Sequence, residues 1–432
     1  MTSNLTDHGP AAPAARADRA NDLPLPPNAR VVQGEGVWME GNAIAQFAQI
    51  AALPGCVRAV GMPDMHAGGT APIGAVFAFD DAVRPSLLGG DVGCGVLVVV
   101  TREAGGSVDA LERRARALFE GESFVADLEA PEALFAEVFR RGLRGLDAFE
   151  LPRSMGELAA GLAGAADAAD AEGVGADPGP YASCVSTLGS IGGGNHFAEI
   201  ARVNEVTPGP LAEALGLKKG ALAAVVHSGS RAVGARLNDR WGQRELPAAE
   251  AGPFLAEMAG ACRFARVNRF LLAYRLLEAI GAARPSKIAG AFDVFHNAVE
   301  PASVGGCTRA WVHRKGAAPA RAGEPTIVLG SRGAPSYLLA GAGNEAVLAS
   351  VAHGAGRKMG RSEAKEKLRD RYRRADLTRT PLGGRVVCDD RDVLYEEHPD
   401  AYKAVGPVVR ALVDHGAATP VAALTPIVTV KR

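Results

Sequence analysis

Short apolar runs bounded by glycine recur along the chain and constrain its fold more than any other feature. Two of them are GAVFAF at 74–79 and GVLVVV at 95–100. Runs of this length between glycine turns predict buried strands. Further strands are expected near 196–202 and 222–227, and the β-branched C-terminal segment VAALTPIVTVKR predicts a strand that docks on the fold.

Helical periodicity separates these strands, so an α/β fold is expected. Apolar residues at spacings of three and four predict helices near 108–120, 130–146, 154–170, 253–281 and 362–374. The Ala-, Gly- and Asp-rich stretch 165–183 predicts a loop. Aromatic residues make up only 5% of the chain, so the core is expected to be aliphatic.

The charge of the chain limits how it can meet nucleic acid. Its net charge is −1, which excludes a general basic coat and requires a local basic surface for any RNA contact. Residues 357–379 hold ten Lys or Arg against four Asp or Glu, and therefore predict salt-sensitive RNA binding. A solvated helix face remains the alternative, above all for the later half of this segment.

The N-terminal segment and the cysteines indicate the domain organisation and the cellular location of the protein. Residues 1–29 are rich in Ala, Pro, Asp and Asn and predict a disordered lead-in to a single folded domain at 30–432. We find neither a membrane span nor a signal peptide pattern. The six cysteines are scattered without a CxxC pair, which is typical of reduced thiols in a cytoplasmic protein.

Four motifs combine residue types that bind metals. In GGDVGCG (89–95), Asp91 and Cys94 share a glycine-lined turn, and His196, His227 and His296 each follow or interrupt an apolar run. Each histidine alone is more often a hydrogen-bonded core residue than a ligand. Together with Asp91 and Cys94 they form a thiolate, carboxylate and imidazole set that suits a divalent cation, and these residue types leave zinc and manganese open.

Two glycine loops favour contacts with phosphate. His353 lies in SVAHGAGRKMG, where it could coordinate a metal, donate to phosphate or attack phosphorus, and a helix-capping loop with an incidental histidine is the alternative. The loop VLGSRGAPSY offers Ser331 and Ser336. Asp64 and His66 share one face if their segment is extended, and are expected to assist catalysis or hold RNA. A turn-stabilising Asp beside a buried His is equally compatible with the pattern.

A series of motifs resembles the RtcB family of RNA ligases. In family order they are MPDMHAG (62–68), GGDVGCGV (89–96), TLGSIGGGNHFAE (187–199), VVHSGSR (225–231), HNAVE (296–300), VHRKGA (312–317), GSRGAPSY (330–337), AHGAGR (352–357), AYKAV (401–405) and the terminal VKR. They cover roughly 57–432. The motifs GGGNHF and HRKGAAPA…GSRGAPSY are most similar to those of the family branch found beside a release-factor homologue (release factor H).

The resemblance implies a fold, a reaction and a set of residues. The fold is α/β, with mixed β-sheets forming a central metal-containing cleft surrounded by helices. The reaction joins RNA 3′-phosphate or 2′,3′-cyclic phosphate ends to 5′-hydroxyl ends in RNA repair or tRNA splicing. It uses GTP, two Mn²⁺ ions and a guanylylated histidine, which matches His353. The implied metal ligands are Asp91, Cys94 (bridging), His196, His227 and His296.

The resemblance also implies contacts to nucleotide and RNA. The implied nucleotide contacts are Asn195, Phe197, Ala198, Glu199, Asn297, Leu329, Gly330, Ser331, Arg332, Ser336, Gly354, Ala355, Gly356, Tyr402 and Lys431. RNA-binding or assisting roles are expected for Asp64, His66, Arg357 and Arg361. A release-factor-like protein is the expected protein partner, and no membrane partner is expected.

The chain departs from the family pattern at several places, one of them the residue before Asp91, which is a glycine rather than a bulky residue. The segment AGGTAPIG (67–74) replaces a longer, aromatic-containing one, and Arg332 stands where many members have Met. Two other functions remain open from the residues. One is a metal-dependent phosphodiesterase, or a guanylyltransferase acting on 3′ ends without joining them. The other is a non-catalytic protein that binds RNA or ribosomes.

Overall fold

The computed structural model describes residues 24–103, 105–120, 130–166 and 176–432. The strands are β1 (Ala29–Val31), β2 (Cys56–His66), β3 (Ile73–Phe79), β4 (Ala82–Val83), β5 (Gly95–Thr101), β6 (Phe197–Val206), β7 (Leu222–Ser228), β8 (Leu246–Pro247), β9 (Ile288–Phe295), β10 (Asn297–Val304), β11 (Cys307–Lys315), β12 (Ala317–Pro319), β13 (Pro325–Val328), β14 (Ser336–Gly341), β15 (Ser350–Ala352), β16 (Arg385–Val387) and β17 (Ala418–Val430).

Helices lie between and around these strands. They are α1 (Gly41–Ala51), α2 (Val108–Phe119), α3 (Pro131–Arg141), α4 (Arg153–Ala166), α5 (Pro210–Ala214), α6 (Ala232–Trp241), α7 (Gly252–Ile280), α8 (Arg361–Arg369), α9 (Arg374–Leu377), α10 (Arg391–Glu396) and α11 (Val405–Asp414). Among the described residues, no helix is long and apolar enough to cross a membrane.

Two mixed sheets carry the fold, which confirms the predicted α/β class. The larger has the order β13-β14-β17-β6-β7-β5-β9, antiparallel throughout, with β16 parallel to β17 beside this path. The smaller has the order β1-β2-β3-β11-β10, in which only the β1–β2 pair is parallel. Short pairs, β12–β15 and β4–β8, complete the sheets of the described residues.

The larger sheet is covered on both faces, and strand β5 shows the consequence. Leu97 and Val99 pack into a core with the helices, whereas Val96, Val98 and Val100 pack into a second core with residues of the smaller sheet. Because side chains alternate between the faces of a strand, both sets must be apolar. The strand therefore has a continuous apolar run although its pairing is antiparallel.

Helix α7 connects the fold to the chemistry of the chain. Its 29 residues are buried around most of the helix, as expected for a helix inside a core. On it, the guanidinium of Arg269 contacts Asp293 at 2.6 Å and donates to the carbonyl oxygens of Gly93 and Ser228 at 2.9 and 2.8 Å. One buried cation thus fixes the turn before β5 and the end of β7, where predicted metal ligands lie.

Some elements have other boundaries in the structure than the sequence predicts. The helix expected at 130–146 stops at Arg141, because Gly142 adopts a positive φ of 58°, and a 3₁₀ helix follows over Gly142–Ala148. The loop expected at 165–183 is only partly described, and part of it belongs to a 3₁₀ helix over Gly179–Thr187. Of the predicted lead-in at 1–29, residues 1–23 lie outside the described part, whereas the Asn28 amide donates to the Ala51 carbonyl at 3.0 Å.

Candidate active site

Strand register in the larger sheet brings distant motifs together. His227, on β7, lies opposite Val96 of β5 and opposite Phe197 of β6. Cys94 precedes Val96 by two residues, and His196 directly precedes Phe197. The side chains of Cys94, His196 and His227 therefore meet at one end of three neighbouring strands.

The fourth strand adds the last histidine. On β9, Phe295 pairs with Gly95, and the backbone N–H of His296 donates to the Cys94 carbonyl oxygen at 2.9 Å. Asp91 lies in the turn before β5. The five residues predicted as metal ligands are thus brought to one place by sheet pairing and one glycine turn.

The donor atoms form two sets that share a thiol. Cys94 Sγ lies 3.2 Å from His196 Nε2 and 3.4 Å from His227 Nε2. His227 Nε2 lies 3.3 Å from His296 Nε2, and His196 Nε2 lies 3.4 Å from Asp91 Oδ2. Within each set, Asp91–Cys94–His196 and Cys94–His227–His296, all donor atoms lie within 4.8 Å of one another. This geometry fits two adjacent cations with Cys94 between them.

The protonation states also suit metal binding. Burial lowers the pKa of His227 and of His296 well below the ordinary value, so both rings are neutral at neutral pH. His227 Nδ1 lies 3.2 Å from the Asn195 carbonyl oxygen, which places its proton there and directs the Nε2 lone pair to the cluster. Burial, reinforced by Asp91, raises the pKa of Cys94, so a thiolate there requires a nearby cation.

Two glycines before His196 make room for arginines. Gly192 and Gly194 have φ angles of +88° and +71°. A Cβ at Gly192 would lie 1.9 Å from the guanidinium carbon of Arg231, and one at Gly194 would lie 2.5 Å from Arg361 Nη2. Arg231 itself has φ of 55°, and its Nη1 lies 2.9 Å from His196 Nδ1. The sequence prediction did not include Arg231, although the motif HSGSR contains it.

His353 lies beside the cluster with a carboxylate behind it. Its Nδ1 is 2.7 Å from Asp64 Oδ2, and its ring centroid is 4.9 Å from that of His296. Burial works to lower the pKa of His353, but Asp64 outweighs burial and the pKa is raised. The nearby carboxylate of Asp64 favours a proton on Nδ1, which leaves Nε2 as the lone-pair atom of the neutral ring.

Asp64 and His66 have different positions. Asp64 is fully buried, so any influence on a ligand in the cleft passes through its neighbours, and its expected assisting or RNA-holding role stays a prediction. His66 lines the cleft, and burial lowers its pKa to about 4, which keeps it neutral. Its Nδ1 lies 3.0 Å from the backbone oxygen of Asp64.

A cleft of about 680 Å³ opens above the cluster and takes in most of the predicted nucleotide contacts. Those that line it are Asn195, Phe197, Glu199, Asn297, Leu329, Gly330, Ser331, Arg332, Gly354, Ala355, Gly356, Tyr402 and Lys431. The Asn297 amide also donates to the Asp91 carbonyl oxygen at 3.1 Å and accepts from the Gly316 N–H at 2.7 Å. It therefore braces the turn that carries Asp91.

Two predicted nucleotide contacts do not line the cleft. The Ala198 side chain is buried in the helix-side core, because alternation along β6 turns only Phe197 and Glu199 toward the cleft. The Ser336 hydroxyl accepts from the Gly330 N–H at 3.0 Å, so it supports the loop rather than facing the cleft.

Glu397 organises the far wall of the cleft, although no sequence motif drew attention to it. Its side chain is 2% exposed, and it lies 2.9 Å from Arg357 Nη1, 3.6 Å from Lys431 Nζ and 3.8 Å from Arg361 Nε. The Tyr402 hydroxyl also donates to it. Arg357 thus pairs with Glu397, and its expected RNA contact stays a prediction, whereas the Arg361 side chain is 55% exposed.

A second buried carboxylate lies across the same wall. The Thr429 hydroxyl donates to Glu199 Oε2 at 2.7 Å, and burial raises the pKa of Glu199 to about 7. Lys431 Nζ donates to the His196 carbonyl oxygen at 3.0 Å. Lys315, which the sequence prediction also omitted, lines the cleft, and its side chain has no hydrogen bond or ion pair to any described residue.

The chain matches one protein-family model over most of its length. The model of the family described as "tRNA-splicing ligase RtcB" matches residues 46–432. The chain is also similar to "RNA-splicing ligase RtcB2" of Escherichia coli, with 35% identity over 416 residues that cover 95% of this chain and 97% of that protein.

More distant relatives are similar over nearly the whole length. The "RNA-splicing ligase RtcB" of Mycobacterium bovis is 31% identical over 447 residues, covering 89% of this chain and 100% of that protein. The "tRNA-splicing ligase RtcB" of Archaeoglobus fulgidus is 30% identical over 451 residues, covering 90% of this chain and 91% of that protein.

Proposed function

This chain belongs to the RtcB family, and we propose that it is an RNA ligase that joins 3′-phosphate or 2′,3′-cyclic phosphate ends to 5′-hydroxyl ends in tRNA splicing or RNA repair. The observation that carries the proposal is the placement of His353 between Asp64 and the metal-binding cluster. Hydrolysis or plain RNA binding would need no oriented nucleophile of this kind. The named relatives are themselves described as RNA-splicing or tRNA-splicing ligases.

The cluster would hold two divalent cations. Asp91, Cys94 and His196 would bind one, and Cys94, His227 and His296 the other. When bound, such cations neutralise phosphate oxygens and help align in-line attack at phosphorus. Thiolate, imidazole and carboxylate ligands accommodate Mn²⁺, and the family resemblance rather than the donor set selects manganese.

GTP is the proposed nucleotide, and Glu199 is the residue that would select it. An ionised carboxylate accepts hydrogen bonds from N1–H and the 2-amino group of guanine, and adenine has neither donor at those positions. Glu199 shares its face of β6 with Phe197, whose ring would pack on the base. Lys431, next to both carboxylates of this wall, would bind a polar edge of the nucleotide.

His353 would begin the reaction. Asp64 retains a proton on Nδ1, and the Nε2 lone pair attacks the α-phosphorus of GTP. A nitrogen–phosphorus bond forms, the bond to the bridging oxygen breaks, and pyrophosphate leaves with that electron pair. Lys315, on the cleft wall, supplies positive charge for the phosphates.

Two transfers complete the proposed sequence. An oxygen of the RNA 3′-phosphate attacks the GMP phosphorus, and His353 leaves and recovers its lone pair. The 5′-hydroxyl then attacks the activated 3′-phosphate, losing its proton, and GMP departs as a phosphodiester forms. A cyclic end must first be opened to a 3′-phosphate by water. Neutral His66, on the cleft wall, is placed to accept a proton from a hydroxyl or water.

Labelled GTP tests the proposal. With Mn²⁺ and GTP labelled at the α-phosphate, the wild-type protein should acquire an acid-labile GMP adduct and then join suitable RNA ends. His353→Ala should fold and bind metal but form no adduct, whereas the control His415→Ala, which changes a histidine outside the cleft lining, should behave as wild type. An adduct on His353→Ala would place the nucleophile elsewhere.

The same assay separates the alternative functions. Transfer of GMP to RNA 3′ ends without joining would make the protein a 3′-end guanylyltransferase. Opening of cyclic ends without any adduct would indicate a phosphodiesterase, and RNA binding alone would indicate a non-catalytic protein.

The cellular location, the domain organisation and the protein partner are also proposals. We place the protein in the cytoplasm, with 30–432 acting as one catalytic domain and a release-factor-like protein as partner. The support is the subgroup resemblance and the scattered, free cysteines. Co-purification of this chain with the release-factor-like protein from the same cells tests the partnership, and its absence would argue against it.

A further inference from the structure

Trp38 is unusually placed for an aromatic residue of this chain. It is 43% exposed, whereas Trp241 and Trp311 are 7% and 4% exposed. It lies in the connection between β1 and α1, directly before the buried Met39. Met39 is anchored in a core, so the chain presents the indole of Trp38 at the surface.

Glycine contacts hold this connection against helix α11. A Cβ at Gly34 would lie 2.9 Å from the Cβ of Ala411, and one at Gly36 would lie 3.3 Å from Pro407 Cγ. Gly36 also has a φ of +76°, a conformation that side chains other than glycine rarely adopt. The backbone around Trp38 is therefore fixed before any ligand arrives.

Lys403 links Trp38 to the cleft. Its Nζ lies 5.7 Å from the centroid of the Trp38 ring and donates to the Met65 carbonyl oxygen at 2.9 Å. Its backbone N–H donates to the carbonyl oxygen of Gly356, which lines the cleft, at 2.9 Å. Glu40, two residues after Trp38, lines the cleft as well. The indole thus lies at the rim on the side of His66 and His353.

We propose that Trp38 is a stacking platform for a nucleobase of the RNA strand that enters the cleft. An exposed, fixed aromatic ring stacks on any base, since every base has a π-face, and adjacent Lys403 offers a positive charge to the phosphate backbone. The inference rests on the proposed RNA ligase function and adds a contact beyond the nucleotide and metal sites. It concerns a base near the reacting end, because the rim adjoins the loop that carries His353.

Intrinsic fluorescence gives a direct test, because the other two tryptophans are buried. Short RNA carrying a 3′-phosphate and short RNA carrying a 5′-hydroxyl are titrated separately, each with a matched version that lacks one base near its end. Intact RNA should quench the Trp38 emission, and removal of the stacked base should abolish the quenching. The oligonucleotide that responds identifies which strand uses the platform.

Binding by the variants provides the second readout. Trp38→Ala should weaken binding of the responding RNA about tenfold, as expected for one lost base–aromatic stack, and Trp38→Phe should retain most of the affinity. Leu53→Ala, at an exposed apolar residue that does not line the cleft, should bind as wild type. The GMP adduct of the wild-type protein, measured on the same preparation, reports the proposed function separately.

Each outcome bears on the inference. Equal affinity of Trp38→Ala and wild type for both oligonucleotides, or quenching that persists without the base, would overturn it even if the wild-type protein forms the adduct. Absence of the adduct together with base-dependent quenching would instead overturn the ligase function and leave the RNA platform standing. An equal loss of affinity in Trp38→Ala and Leu53→Ala would show a general effect and reject the platform.

Discussion

The metal-binding cluster differs in construction from the wall of the cleft around Glu397. This wall consists of Glu397 and the residues that contact it, Arg357, Arg361, Tyr402 and Lys431. The cluster residues lie at or beside the ends of paired strands, and sheet register sets their spacing. The wall combines residues of loops, a short helical segment and the chain terminus, and ion pairs around Glu397 hold it. Hydrogen bonds repeated along a sheet resist local change, whereas the ion pairs of the wall converge on one buried carboxylate, that of Glu397.

The comparison predicts separable effects. A change at the shared thiol should remove metal binding and with it every later step. A change in the wall should alter nucleotide binding while leaving the metals in place. Three predictions test this separation, from the largest expected effect to the smallest.

Cys94→Ala should abolish both metal binding and guanylylation, because Cys94 Sγ belongs to both donor sets. Cys56→Ala and Cys388→Ala are matched controls, since neither thiol lies in the cluster, and both should retain activity. Metal content by elemental analysis and the GMP adduct are the measurements. Normal metal content in Cys94→Ala would show that the cluster is not the metal site.

Glu397→Gln should weaken GTP binding about tenfold, or about 1.4 kcal/mol, because the buried charges of Lys431 and Arg357 lose their ionised partner. Metal content should stay at the wild-type level. Asp392→Asn removes a carboxylate that pairs with Lys365 and Arg369 outside the cleft, and should leave both quantities unchanged. Calorimetric titration measures the affinity, and a parallel loss of metal would contradict the separation of the two regions.

Glu199 should give GTP affinity a modest dependence on pH. Burial raises the pKa of this carboxyl to about 7, so it is ionised above that pH and increasingly protonated below it. Only the ionised form accepts two hydrogen bonds from guanine, and affinity should therefore fall several-fold as the pH drops from about 8 to 6. Glu199→Gln should bind GTP weakly and without this step. An identical pH profile in the variant would assign the titration to another group.

The motifs that the sequence predicted to bind metal meet in one cluster, and there is a physical reason why they could be recognised. Each ligand lies in a short local pattern, such as the glycine turn with Asp91 and Cys94 or the run that ends at His227. Alternation along a strand also determines to which face of the sheet each side chain points. Ala198 was nevertheless predicted to contact the nucleotide together with its neighbours. Only the pairing of β6 shows that its side chain points to the opposite core.

Local patterns cannot report contacts between distant segments. Glu397 follows a helix and belongs to no recognisable motif, so its ion pairs could not be predicted from the sequence. Asp64 was expected to assist catalysis or hold RNA, and its sequence context did not show that it lies buried against His353. Arg357 was assigned to RNA from the charge of its segment, and the charge alone does not show that a carboxylate already engages it.

By itself the sequence determined which elements form and which residue types can bind a metal. The spacing of apolar residues, the glycine turns and the chemistry of the side chains are all local properties of the sequence. The tertiary structure decided which of these residues meet. It joined Asp64 to His353, Glu397 to Lys431, and Trp38 to the cleft rim through Lys403. These contacts arise because buried charges must find partners wherever the packed chain brings them, and sequence distance does not limit that choice.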